Sequence, residues 1–246
     1  MRTHGLAIAL MIGMTWWSTG CGSGQAEGSE PGDLSTKKAE MTPTEGRVPS
    51  PFVEREFWLA LSEEPTWHLD VARENFLAGR PGKASQEMAK VAAILNFESR
   101  HAHSPREAGL LMASVQELRE VARQLRDRTP PVAGPPSLME MDRVSALALR
   151  TIAAHQVTLA RDALEAGDGR MAARYITETA KAIHDGFQRG GVQEGTAIAG
   201  ELEGARDVAT QLEMDGNGSR DEGLRTLDNL DSAVKGLGDV LTEGRR

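Results

Sequence analysis

Apolar residues recur along most of this chain with the period of an α-helix. The clearest stripe is Met141, Val144, Ala148, Ile152, His155, Leu159 and Ala163, spaced by threes and fours. Leu111, Val115, Leu118, Val121 and Leu125 form a second stripe, and Leu224, Leu227, Leu230, Val234, Leu237 and Leu241 a third. A 3.6-residue period gathers such positions on one face, which needs neighbouring helices to cover it. No alternating run rich in β-branched residues competes with them, so the pattern predicts an all-α fold.

The punctuation agrees. Ser104–Glu107, Ser137–Glu140 and Ser219–Glu222 have the spacing of a capping box, in which the serine oxygen accepts from a free amide and the glutamate reaches back to the serine amide. Pro105 suits a first helical position, where its missing N–H costs nothing. Gly79, Gly167 and Gly190 stand where helices should stop. Four prolines between Thr129 and Pro136 predict a rigid loop. Together these signals predict helices over 54–78 (interrupted at Pro65), 82–101, 105–128, 137–166, 169–188, 194–214 and 220–242.

The first 51 residues follow different rules. One positive charge at Arg2, an apolar run from Gly5 to Trp17 and the small-residue exit Ser18-Thr19-Gly20 have the shape of a secretory signal peptide over 1–20. The run is shorter than the roughly 20 residues that a membrane-spanning helix needs. Cys21, the only cysteine, sits where that segment should be cut. Thr19-Gly20-Cys21 resembles the bacterial lipobox, although Ser18 stands where leucine is usual. The resemblance implies that Cys21 is acylated, becomes the mature N-terminus and anchors the chain to a bacterial membrane. From Cys21 to Pro51 the chain is rich in Gly, Ser, Pro, Glu and Thr and poor in apolar residues, so this stretch is expected to be a disordered tether. About 30 such residues have a root-mean-square reach of roughly 30 Å.

Residues 52–246 then form one helical domain with signs of duplication. Ala72-Arg73-Glu74-Asn75-Phe76-Leu77-Ala78-Gly79 aligns with Ala160-Arg161-Asp162-Ala163-Leu164-Glu165-Ala166-Gly167. At the same offset Ala84 meets Ala172, Met88 meets Ile176, Ala92 meets Ala180 and Leu95 meets Ile183. One residue out of phase, Arg119–Leu125 meets Arg206–Leu212. Two copies, roughly 52–136 and 137–246, would stack as a duplicated helical-hairpin array or close into a bundle of about seven helices.

Gly167-Asp168 followed by Ala172, Ile176 and Ala180 resembles half of a tetratricopeptide hairpin, where small residues let two helices approach. The copies lie too far apart for a tandem array of that kind. Over roughly 65–185 the chain also resembles exported bacterial helical proteins of unknown function. These carry His-x-x-x-Ala-Arg-Glu-x-Phe-Leu, here His68, Ala72, Arg73, Glu74, Phe76 and Leu77, and later a helix with Ser114, Glu117 and Leu118. Those relatives have paired histidines near the aligned 149–156 region, where this chain keeps His155 alone. The resemblance implies a helical fold and assigns no catalytic residue.

Composition narrows the function classes. The chain has 246 residues, 26% of them charged, and a net charge of −8, which becomes −9 once Arg2 leaves with the signal. That balance excludes a phosphate-neutralising nucleic-acid binder and disfavours adsorption to anionic lipid. A single cysteine excludes an internal disulfide framework. No phosphate-cradling loop, serine elbow or haem-attachment motif is present, and the one Glu-x-x-His spacing, Glu98 to His101, has no second copy of the kind a di-iron bundle uses. The histidines are the remaining candidates: His68, His155 and His184 are weak metal or haem ligands, while His101-Ala102-His103 suits a helix C-terminus. Six of the eight aromatics after Cys21 fall before residue 100 and are expected to pack in a core or interface. The sequence therefore predicts a lipoprotein, without cofactor or catalytic residue, whose helical domain faces the periplasm or cell exterior and binds an envelope protein. A periplasmic metal- or haem-binding bundle is the alternative.

Overall fold

The computed structural model describes residues 51–127, 137–192, 194–215 and 220–243, all within the unit Val48–Arg246. The signal segment, Cys21, the tether up to residue 50, the loop at Thr129–Pro136 and the Ser219 cap lie outside the described residues. Seven helices follow one another: α1 (Pro51–Leu77), α2 (Pro81–Glu98), α3 (Pro105–Arg126), α4 (Leu138–Glu165), α5 (Gly169–Arg189), α6 (Thr196–Asp215) and α7 (Arg220–Glu243). No strand occurs among the described residues, and none of these helices is long and apolar enough to cross a membrane.

The expected break at Pro65 does not occur. α1 runs through it without interruption, because Pro65 is itself buried and is followed by the buried Thr66 and Leu69. Proline removes one backbone bond, and burial of its ring and its neighbours offsets that loss.

The helix ends show how local sequence sets the turns. Ser104 accepts from the Glu107 amide at 3.2 Å, Ser137 from Glu140 at 3.1 Å and Asp168 from Met171 at 3.0 Å. α1 and α4 terminate identically. Gly79 (φ 69°) and Gly167 (φ 77°) both enter the left-handed region. The following residue then closes each helix, Arg80 N–H donating to Asn75 O at 2.8 Å and Asp168 N–H to Ala163 O at 2.7 Å. α5 ends differently from expectation: Gly190 stays right-handed and Gly191 (φ 68°) makes the turn, with Val192 N–H donating to Phe187 O.

Packing arranges the helices as two rings that share α4. α1, α2, α3 and α4 each contact the next and α4 returns to α1; α4, α5, α6 and α7 do the same, with α7 returning to α4. α5 also touches α1 and α7. Corresponding positions of the two rings are buried alike: Ala84 and Ala172, Met88 and Ile176, Ala92 and Ala180, Leu95 and Ile183 are all fully buried. Val121 with Val208, and Leu125 with Leu212, are buried as well. Even the ion pairs correspond. Arg73 of α1 holds Asp142 of α4 at 3.0 Å, and Arg161 of α4 holds Asp228 of α7 at 2.6 Å. α7 thus sits on α4 as α4 sits on α1.

Gly79 offers a clean test of the turn. A Cβ there would meet nothing within 4 Å, so only the left-handed backbone opposes it. Gly79→Ala should lower stability by about 1 kcal/mol in chemical denaturation. An unchanged midpoint would mean that the turn is not strained by a side chain.

Candidate functional site

The N-terminus of α3 and the C-terminal half of α4 enclose a cleft of about 390 Å³, lined by His103, Glu107, Leu110, Leu111, Thr151 and His155 among others. Its lining is mostly apolar, and His103, Ser104 and Glu107 give it a polar end at the start of α3. That asymmetry is typical of small binding sites, which makes the cleft the first place to look for chemistry.

The polar end is built by the α3 cap. Once Ser104 has taken the Glu107 amide, the Glu107 carboxylate is free to turn. One oxygen accepts from the His103 backbone N–H at 2.9 Å, one residue earlier than the Ser104 amide that a capping box would use. The other oxygen meets His155 Nδ1 at 2.6 Å. Reaching across to α4 is what draws Glu107 away from the ordinary box geometry. His155 is 4% exposed, so this bond satisfies an imidazole that would otherwise be buried at a cost. His103 continues the chain, its Nε2 lying 2.6 Å from Asp162 of α4. The result is a line of alternating rings and carboxylates, His155–Glu107–His103–Asp162, which ties α3 to α4.

The hydroxyls beside this line are also engaged. Thr151 Oγ1 donates to Leu147 O at 3.0 Å and shares a hydrogen bond with Ser114 Oγ at 2.9 Å. Thr158 Oγ1 donates to Ala154 O at 3.4 Å.

Glu98, the last residue of α2, adds a third carboxyl, close to Glu107. Burial, reinforced by the charge of Glu107, pushes its pKa up to about 8, and Oε2 has no hydrogen-bond partner. At neutral pH it is therefore held protonated. Burial likewise raises the Tyr175 phenol on α5, with the Glu98 charge adding to the effect.

The three metal candidates are not brought together. His68 Nδ1 faces Glu87 of α2 at 2.6 Å, His155 faces Glu107, and His184 faces Glu194 at 3.0 Å with Gln188 on its other nitrogen at 2.8 Å. Burial works to raise the Glu87 carboxyl, but hydrogen bonds from Lys90 and His68 hold it below its ordinary value. Among the described residues no group of three or more His, Cys, Asp or Glu side chains could hold a metal ion. The two neighbouring histidines also divide: His101 stays at the end of α2, with Nδ1 on Phe97 O, whereas His103 belongs to the start of α3. His103 therefore does not serve the α2 dipole as its place in the sequence suggested, because the Glu107 carboxylate draws its backbone forward.

The glutamates are what the sequence reading missed. Glu107 was accounted for as a cap, and nothing local says which histidine it meets 48 residues away. Glu98 did carry a signal, since it continues the buried face Val91-Leu95 one turn on. Comparison with protein-family models, with curated proteins and with solved structures found no match to this chain.

The buried acid gives a pH signature. The Glu98 pKa is raised in the folded state, so both states bind its proton below the ordinary carboxyl value of 4.5. Between there and about 8 the unfolded chain ionises and the folded chain does not, and stability falls as pH rises through that window. Glu98→Gln removes the titration while keeping the shape. Its melting temperature should gain on the parent steadily across that window, measured by circular dichroism; a constant gap would show that Glu98 titrates normally.

Proposed function

We propose that this protein is a bacterial lipoprotein whose helical domain acts as a non-catalytic binding scaffold at the cell envelope. Cys21 carries the lipid, residues 22–50 form the tether, and the domain recruits an envelope protein. Two or more acyl chains give stable anchoring, each buried methylene contributing roughly 0.8 kcal/mol. The tether lets the domain work at a distance from an anionic surface that its own charge would repel.

The observation that supports a scaffold over an enzyme is the state of the α3–α4 cleft. Side chains there tie one helix to the next: His155 Nδ1 meets Glu107, His103 Nε2 meets Asp162, and Thr151 Oγ1 meets Ser114 and the Leu147 carbonyl. A nucleophile needs a base within reach and a free trajectory, and here Thr151 and Thr158 donate to their own helix backbone. The line of side chains works as a brace between helices. The metal-binding alternative gains no comparable support, since the three candidates His68, His155 and His184 each face a different glutamate.

In-cell crosslinking and pull-down of the full-length chain, run beside Cys21→Ala, tests this directly. The expected outcome is membrane fractionation with a reproducible protein partner, both lost in the variant. A soluble parent protein with a free Cys21 thiol would contradict the anchor. Recovery of no protein partner would contradict the scaffold.

A further inference from the structure

The correspondence between the rings makes their two ends comparable, and the ends are unlike. α7 occupies on α4 the place that α4 occupies on α1, yet α7 presents a polar outer surface. Where α4 buries Ser145, Leu149 and Ala153, α7 has Asp231, Lys235 and Asp239, with Lys235 and Asp231 paired at 2.6 Å. Polar outer faces are how stacked helical units end. α7 closes its end of the domain.

α1 does not close the other end. On α4 the face that receives α3 carries Thr151, His155 and Asp162, the residues that meet Ser114, Glu107 and His103. An offset of 88, the same that superposes Gly79 on Gly167, carries this face onto Glu63, Trp67 and Glu74 of α1. Trp67 thus holds the position of the buried His155, and it is 56% exposed. Val71 lies half-buried one turn on, and Leu77 beyond it is 59% exposed. Among the described residues no helix stands against this face as α3 stands against α4.

We infer that the Trp67 face of α1 is a docking site for a basic amphipathic helix of a separate protein, seated as α3 is seated on α4. Resting on the scaffold reading above, this names the scaffold's partner by its chemistry. Three observations select that occupant. The position calls for a helix, because a helix fills it in the next ring. The rim is acidic: Glu63, Glu64 and Glu74 are exposed, and α5 adds Glu178 and Asp185 beside Glu63 and Asp70. Of the described cations nearby, Arg189 is paired with Asp70 and Arg73 with Asp142, which leaves Lys181, beside Glu178 and Asp185, as one charge against this acidic set. A second copy of this chain fits poorly, since two α1 faces would set acid against acid and the α7 end is polar. The chain's own residues 22–50 have few apolar side chains to lay against a tryptophan. Tryptophan flanked by charge is the usual anchor of such contacts.

The test places the photocrosslinker p-benzoylphenylalanine at position 67 of the full-length chain in cells, with the same group at Met139, an exposed site on α4, as reference. The expected adduct joins position 67 to another protein, through a peptide with Lys or Arg within one turn of its apolar residues. Glu63→Lys with Glu74→Lys should cut its yield about tenfold, since like charges would then face each other. Both residues are exposed, so the variant should keep its circular-dichroism spectrum. An adduct with a second copy, an adduct indifferent to charge reversal, or no adduct at 67 would each overturn the inference. A partner captured at Met139 alone would overturn this site while leaving the scaffold reading intact.

Discussion

Everything in this domain turns on α4 being buried from two sides. A helix at the edge of a bundle needs one apolar stripe, but α4 closes one ring with α1 and α3 and opens another with α5 and α7. More than half its residues are buried, including Leu149, Ile152, Ala153, Val157, Ala160 and Leu164 around most of its circumference. At 28 residues it is about 42 Å long, enough to carry both rings along its whole length. Small residues at Ala146, Ala148, Ala153 and Ala160 let its neighbours come close on both sides.

Little of such a helix is left for water, so polar side chains buried along it need partners inside, which Arg143 Nη1 lacks and three others find. Asp142 finds Arg73, Ser145 its own helix at Met141 O, and His155 finds Glu107. The candidate site is a consequence of this constraint. His155 and Asp162 are where α4 grips α3 through side-chain hydrogen bonds, and the cleft is the space left beside them. A polar brace of this kind adds little net stability, because desolvating its members offsets much of their attraction.

Seven helices with ends within three residues of those observed were legible in the sequence, because periodicity and caps act locally. The stripe through Met141, Ile152 and His155 was legible too. Its second face was not, since Leu149, Ala153 and Ala160 read as ordinary helix formers until a second ring is known to lie against them. Pro65 misled for the opposite reason: its local cost is visible in the sequence, and the burial that offsets it is not. His155 stood out as the odd member of an apolar stripe, but its partner Glu107 lies 48 residues away and could only be seen in the fold. The offset that aligns Gly79 with Gly167 was visible in the sequence, whereas the matching pairs Arg73–Asp142 and Arg161–Asp228 required coordinates.

A shared α4 means that neither ring can lose its structure without stripping one face of the other. Denaturant unfolding of a chain carrying Trp16→Phe and Trp17→Phe tests this most directly, because the remaining tryptophans, Trp58 and Trp67, both lie in α1 while far-ultraviolet circular dichroism reports on all seven helices. The two signals should trace one coincident transition. A fluorescence transition complete before most of the helix signal is lost would show that the α1–α3 ring unfolds alone, and that α4 does not bind the two rings into one cooperative unit.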